Sequence, residues 1–110
     1  MENCIFCKII RKEMPADLKY ESDTVVVFPD INPSADIHLL IVPKKHIGGI
    51  KDLNESHGLL LAEIFQVASK LAAENNLENG LYRVAVNAGK AQHVPHLHFH
   101  LLGGQWKKMI

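Results

Sequence analysis

The sequence of 110 residues carries no net charge, because its 12 Lys and Arg balance its 12 Asp and Glu. Without an excess of positive charge, the chain lacks the electrostatic signature of a protein that binds nucleic acid or an anionic membrane surface. No apolar run reaches the roughly 20 residues that span a bilayer, and the first residues lack the order of a signal peptide. We therefore expect a cytoplasmic protein with no nucleic-acid partner and no membrane partner.

Cysteine is also scarce, since Cys4 and Cys7 are the only two in the sequence. In a reducing compartment, the spacing Cys-x-x-Cys indicates half of a metal site or a redox pair before it indicates a structural disulfide. Internal repeats, linkers and low-complexity tracts are absent from the sequence as well. A chain of this length is therefore expected to form a single domain over residues 1–110.

The apolar pattern predicts strands on both sides of one long helix. DLKYE and TVVVFPD form a predicted hairpin, and IHLLIVP is a third strand that stops at Pro43. From about Asn54 to Asn76, apolar residues recur every three or four positions, which predicts a helix whose start is capped by Asn54 or Ser56. These helical positions are Leu60, Ile64, Val67 and Leu71.

Two further runs, LYRVAVN and VPHLHFHLL, are predicted to be the fourth and fifth strands. The N-terminal CIFCKIIRKEMPA is predicted to form a short turn or helix that ends at Pro15. This order of elements indicates an α+β domain, in which a mostly antiparallel sheet has the helix packed on one face.

The stretch HVPHLHFHLLGG contains four of the seven histidines of the chain. In a strand, His96, His98 and His100 share one face and the intervening apolar residues take the other. An isolated histidine is usually the polar side of a half-exposed strand, but three in strict alternation favour a chemical role. Imidazole serves both as a metal ligand and as a nucleophile, and the stretch alone leaves both possibilities open.

HLHFHLL resembles the histidine-triad signature. Two other motifs precede it in order, CIFCKIIRKEMPA and VFPDINPSADIHLLIVPKKHI, and the triad itself continues as HLHFHLLGG. Together these motifs, from about Asn3 to Gly104, are similar to the Hint branch of the histidine triad (HIT) superfamily. The LLGG ending resembles Hint, whereas Fhit-type hydrolases usually have Pro-Arg there. The resemblance implies a HIT-like fold with a five-stranded sheet, one long helix and a short N-terminal helix. It also implies a homodimer with a continuous ten-stranded sheet and the long helix at the interface.

The resemblance further implies a hydrolase that cleaves purine nucleoside phosphoramidates through a nucleotidyl-histidine intermediate. The middle histidine of the triad, His98, would be the nucleophile; His100 would contact the phosphate and handle the proton of the leaving group, and His38 would support the triad. The remaining implied contacts are Asp30 for the ribose hydroxyls, Asn87 on the phosphate side, and Phe6, Ile9, Phe28 and Ile31 around the base. By local pattern alone, the apolar residues among them suit a core, and Asp30 and Asn87 suit turns.

Some HIT relatives and the similar galactose-1-phosphate uridylyltransferases hold zinc with a Cys-x-x-Cys, a histidine after the third strand and the first histidine of the triad. The matching residues are Cys4, Cys7, His46 and His96, so the resemblance implies a structural Zn²⁺ site of the Cys2His2 type. The alternative is that the two cysteines are small buried residues near the base pocket.

Two departures from the family bear on substrate choice. The loop GKAQHVPH places His93 where a small polar residue is common, so His93 is expected to alter substrate preference or to join the metal. The tail GGQWKKMI is shorter than the family's, which bears on substrate selectivity. His57 matches no family position and is expected to be a solvated surface residue.

The alternative functions are a dinucleoside polyphosphate hydrolase or nucleotidyl transferase, and a nucleotide-binding scaffold with vestigial activity.

Overall fold

Five strands form one sheet in the order β1-β2-β3-β5-β4, and each neighbouring pair is antiparallel. These are seen in a computed structural model that describes residues 3–77 and 79–106. The strands are β1 (Tyr20–Glu21), β2 (Val25–Pro29), β3 (Ala35–Pro43), β4 (Tyr82–Val86) and β5 (Phe99–Trp106), and the helices are α1 (Ile5–Ile10) and α2 (Gly58–Glu74). The predicted α+β fold and the predicted order of elements are confirmed.

The two faces of the sheet bury two separate apolar clusters, because successive side chains in a strand point to opposite faces. On one face, α2 packs through Ile64, Val67, Ala68 and Leu71 against alternate residues of the strands. Leu97, Phe99 and Leu101 belong to this cluster, as the alternation in the last strand predicts. On the other face, Phe6 and Ile9 of α1 pack against Val26, Phe28, Leu40 and Val42. The histidines of the triad therefore share the α1 face.

Helix α1 ends earlier than the sequence predicts. Its last residue is Ile10, and the chain then turns through Lys12, which has a positive φ of 65°. The Glu13 N–H donates to the Lys8 carbonyl at 2.8 Å, so a left-handed cap closes the helix before Pro15 can act.

Strand β5 starts at Phe99, five residues after the predicted start at Val94. Pro95 has no N–H, the His96 N–H donates back to the Val94 carbonyl, and the Leu97 N–H donates to the Ile47 carbonyl. These bonds keep the backbone before Phe99 out of the hydrogen bonds that join β5 to its neighbouring strands. His96 and His98 consequently precede the strand, although their side chains keep the predicted face.

The start of α2 corrects two further predictions. The Asn54 side chain accepts the Ser56 N–H at 2.9 Å, but it caps a single 3₁₀ turn (Glu55–His57), and α2 itself begins at Gly58. His57 is buried, with 7% of its surface exposed, and its Nδ1 accepts the Asn54 N–H at 3.1 Å. The prediction of a solvated His57 is wrong, because its ring completes this cap.

Among the described residues, no helix is long and apolar enough to cross a membrane.

Candidate active site and metal centre

Four histidines lie side by side on the α1 face of the sheet: His38 on β3, and His96, His98 and His100 in or before β5. Strand register brings them together, since Leu40 pairs with His100 and His38 pairs with Leu102. All four are buried, with exposures between 0% and 7%. Buried imidazoles need defined hydrogen-bond partners, and these partners reveal which nitrogen of each ring holds its proton.

His38 and His100 form a directed hydrogen-bond chain that starts at the backbone of Ser34. The Ser34 N–H donates to His38 Nδ1 at 2.9 Å, so the proton of the neutral His38 ring must lie on Nε2. His38 Nε2 then donates to His100 Nδ1 at 2.8 Å, which leaves the His100 proton on Nε2. That Nε2 is buried and has no hydrogen-bond partner among the described residues. A buried donor of this kind suits an oxygen of a bound ligand.

Asp30 lies near the same nitrogen of His38, with its Oδ2 3.4 Å from His38 Nε2. Its Oδ1 accepts the Asn32 N–H at 2.9 Å, in a turn directly after β2. Ligand atoms of Asp30, His38 and His100 lie within 4.8 Å of one another, which is close enough for a metal ion. A metal ion would need a lone pair on His38 Nε2. That atom holds the ring proton instead, because Nδ1 accepts the Ser34 N–H. The trio is therefore better suited to a hydrogen-bond relay.

His98 presents a free nitrogen next to this relay. Its Nδ1 donates to the His96 carbonyl at 2.7 Å, so Nε2 carries the lone pair. The rings of His98 and His100 have centroids 5.1 Å apart. Burial lowers the pKa of His98, and burial together with the neighbouring His98 and His38 lowers the pKa of His100 to about 4. Both rings are thus neutral near pH 7, the form in which imidazole can act as a nucleophile.

Cys4, Cys7, His46 and His96 form a second cluster at the start of α1. Cys4 Sγ lies 3.4 Å from His96 Nδ1, Cys7 Sγ lies 3.2 Å from His46 Nδ1, and the two Nδ1 atoms are 3.1 Å apart. Zinc–nitrogen bonds of about 2.0–2.1 Å and zinc–sulfur bonds of about 2.3 Å place tetrahedral ligand atoms about 3.3–3.8 Å apart. The four residues therefore fit one tetrahedral zinc ion with little rearrangement.

The surroundings of this cluster support the same fit. His96 Nε2 donates to the Pro43 carbonyl at 2.8 Å, which fixes the proton there and directs a lone pair on Nδ1 toward the cysteines. Cys4 is the N-cap of α1, and the Cys7 N–H donates to Cys4 Sγ at 3.4 Å. Burial, together with the nearby Cys4, raises the pKa of the Cys7 thiol. A divalent cation would supply the positive charge that a pair of thiolates needs. His93 is exposed and is not one of the four.

The structure separates the remaining predicted contacts. Phe6, Ile9 and Phe28 are buried in the apolar cluster of the α1 face, and Phe6 also packs against the ring of His98. Ile31 is 90% exposed, and Asn87 is half-buried directly after β4. Sequence reasoning missed Ser34 and Pro43, which orient His38 and His96. Both act through backbone groups that every residue has, so their side chains gave no signal.

Comparisons with known proteins extend over almost the whole chain. The family profile described as "Scavenger mRNA decapping enzyme C-term binding" matches residues 3–110. A purine nucleoside phosphoramidase of Escherichia coli (strain K12) is 40% identical over 106 residues, which cover 94% of this chain and 89% of that protein.

Solved structures of similar proteins have the same fold. A HIT family hydrolase from Legionella pneumophila is 47% identical with a TM-score of 0.90, and the match covers 94% of both chains. A histidine triad protein from Clostridium difficile is 39% identical with a TM-score of 0.91, and the match covers 96% of this chain and 93% of that one. These matches extend over almost the whole chain and include its histidine cluster, so the chain belongs to the histidine triad (HIT) superfamily.

Proposed function

We propose that the protein is a nucleotide hydrolase that cleaves purine nucleoside phosphoramidates through a nucleotidyl intermediate on His98. The observation that carries this proposal is the pairing of two oriented nitrogens, the lone pair on His98 Nε2 and the unpartnered N–H on His100 Nε2. The first can attack phosphorus, and the second can donate to a phosphoryl oxygen. The 40% identity to a protein named as a purine nucleoside phosphoramidase supports this choice of substrate class.

The reaction would run in two displacements. His98 Nε2 forms a bond to phosphorus while the phosphorus–nitrogen bond of the substrate breaks, and the departing amine takes a proton from His100 Nε2. Water then attacks phosphorus, the bond to His98 breaks, and one water proton returns to His100 Nε2. His38 holds His100 in the tautomer in which this cycle starts and ends. The nucleoside monophosphate and the free amine are the products.

The other proposed contacts follow from the resemblance. Asp30 would accept the ribose hydroxyls, and Asn87 would contact the phosphate. Phe6, Ile9, Phe28 and Ile31 would border the base, and the 90% exposure of Ile31 leaves its side chain available to a ligand. Zinc held by Cys4, Cys7, His46 and His96 would be structural, since four protein ligands leave no open position for a substrate. Cys4 and Cys7 are not joined in a disulfide, so both thiols are available to a metal ion. A cytoplasmic location is part of the same proposal, since Cys-x-x-Cys is typical of a metal site in a reducing compartment.

The direct test is intact-protein mass spectrometry within seconds of mixing with an adenosine 5′-phosphoramidate. Wild-type protein should gain the mass of one adenylyl group and release AMP, and His98→Ala should do neither. His57→Asn is the matched control, because it removes a histidine outside the cluster and keeps a side chain that can cap the turn.

The outcomes separate the alternative functions. Faster turnover of a diadenosine polyphosphate than of the phosphoramidate would contradict the proposed substrate class and favour a dinucleoside polyphosphate hydrolase. Binding of AMP with neither adduct nor turnover would favour the scaffold. An adduct that persists in His98→Ala would overturn the assignment of the nucleophile.

A further inference from the structure

Phe6 lies between the two cysteines, in the first turn of α1, and its ring contacts three other rings edge-on. The centroid distances are 5.1 Å to His98, 5.8 Å to His96 and 5.5 Å to Phe28, with interplanar angles of 82°, 72° and 68°. Phe6 is only 6% exposed. One buried side chain thus touches the ring of His98, the proposed nucleophile, and the ring of His96, a proposed metal ligand. The turn that carries Phe6 runs from Cys4 to Cys7, which are two more of the proposed ligands.

The ring of His98 needs such a neighbour, because its own rotamer preference does not fix it. The χ2 torsion of histidine is broad, so an imidazole is oriented by its contacts. The hydrogen bond from Nδ1 to the His96 carbonyl holds one nitrogen, but the ring can still pivot about that bond. Phe6 and His100 pack against His98 and limit the pivot. The direction of the Nε2 lone pair therefore depends on where Phe6 lies.

The position of Phe6 depends in turn on α1, which has only six residues. A helix of this length is not stable by itself and must be held by its tertiary contacts. A metal bound at this site would link Cys4 and Cys7, at the two ends of the turn, to His46 after β3 and His96 before β5. Phe6 then connects that site to His98 through side-chain packing, beside the hydrogen bond from His98 Nδ1 to the His96 carbonyl.

We propose that Phe6 is a positioning residue that fixes the ring of His98 and makes its orientation depend on occupancy of the metal site. This inference rests on the proposed function, which supplies the nucleophile and the zinc site. It differs from the role around the base that the resemblance implies, because that role predicts an effect on substrate binding alone.

The first test compares Phe6→Leu and Phe6→Met with Val26→Ala, a truncation in the same apolar cluster on β2, which β3 separates from β5. With zinc bound, the two Phe6 variants should lower kcat for an adenosine 5′-phosphoramidate about tenfold, a larger change than any in KM, as expected for a misplaced reacting group. Nuclear magnetic resonance of the His98 ring should show faster exchange of its Nδ1 proton with water. Val26→Ala should lose stability but keep the kcat and the exchange rate of wild type.

The second test removes zinc with a chelator and again measures the exchange of the His98 Nδ1 proton. Removal should speed this exchange more in wild type than in Phe6→Leu, because the packing connection through Phe6 is already absent in the variant. A rise in KM alone, an exchange rate equal to that of Val26→Ala, or equal effects of zinc removal in wild type and Phe6→Leu would overturn the inference. Full turnover by His98→Ala would instead overturn the proposed function, so the two failures are distinguishable.

Discussion

His38 Nε2 lies 2.8 Å from His100 Nδ1, and the hydrogen bond between them has a fixed direction because Ser34 occupies the other nitrogen of His38. A proton added to His100 Nδ1 would face the N–H of His38 across this short distance. The arrangement therefore requires His100 to remain neutral, in agreement with its lowered pKa of about 4.

This requirement makes the stability of the protein sensitive to acid. The pKa of His100 falls from 6.5 to about 4 on folding, chiefly through burial. Between these two values the unfolded chain binds more protons than the folded chain, so the free energy of unfolding must fall as the pH falls through this window. The loss from His100 has an upper limit of about 3 kcal/mol. Urea unfolding at a series of pH values should show it.

The matched variants are His100→Asn, which removes this titration, and His93→Asn, which removes an exposed histidine instead. Acid should destabilise His100→Asn less than wild type, and His93→Asn should follow wild type. An equal acid-induced loss in wild type and His100→Asn would show that His100 is not the group responsible.

Zinc should bind at one ion per chain and stabilise the fold. The four ligand atoms are already within 4.8 Å of one another, so binding needs little reorganisation of the folded chain and is unavailable to the unfolded one. At 100 times Kd, such binding adds about 3 kcal/mol to the free energy of unfolding. Metal analysis and thermal unfolding with and without chelator measure both quantities.

His46→Ala and His96→Ala should lose the metal and this added stability, whereas His93→Ala should retain both, because His93 lies outside the cluster. Full zinc content in His96→Ala would contradict the assignment. Loss of zinc in His93→Ala would instead restore the expectation that His93 joins the metal.

The sequence predicted what depends on side-chain pattern. Alternating apolar residues indicated the strands, and the placement of Leu97, Phe99 and Leu101 on the α2 face followed from that alternation. The motifs around Cys4 and His98 indicated the superfamily. Features that depend on backbone hydrogen bonds were not predictable, such as the late start of β5 at Phe99. His57 was missed for a similar reason, since its role depends on the single N–H of Asn54 that its ring accepts.

The second glycine of LLGG, Gly104, has a structural role that can be tested. Gly104 has a φ of +78°, and a Cβ built there would lie 2.8 Å from the Cβ of Asp36. The Asp36 carboxylate also accepts the Gln105 N–H at 2.9 Å, so it cannot move away without losing that bond. Gly104→Ala should therefore lower the free energy of unfolding by about 1–3 kcal/mol.

Gly58 provides the control for Gly104, because it is the first residue of α2 and has no atom within 4 Å of a built Cβ. Gly58→Ala should be neutral or stabilise the protein by up to about 1 kcal/mol, since alanine favours the helix. Chemical denaturation of both variants measures the contrast. Equal stability of Gly104→Ala and wild type would mean that the chain relaxes around Asp36 at no cost.

Strand β4 is one edge of the sheet, and exposed apolar residues lie at its start and on α2. They are Leu81 and Tyr82 at β4, and Leu59 and Phe65 on α2. An unpaired edge with apolar neighbours favours pairing with another chain. The homodimer that the resemblance implies would extend the sheet to ten strands at such an edge, with α2 at the interface.

Leu59→Arg should weaken that homodimer without unfolding the chain, because Leu59 is 89% exposed and contributes little to the core of one copy. Burying an unpaired arginine between two copies is unfavourable, so the dissociation constant should rise at least tenfold, equivalent to about 1.4 kcal/mol. Met14→Arg is the control, since Met14 is also exposed but lies after α1, away from β4. Light scattering should give wild type and Met14→Arg twice the 12.3 kDa mass of one chain, and Leu59→Arg a lower average mass. Hydrogen exchange should protect the outward amides of β4 only in the dimeric proteins, so a wild-type dimer with unprotected β4 amides would place the interface elsewhere.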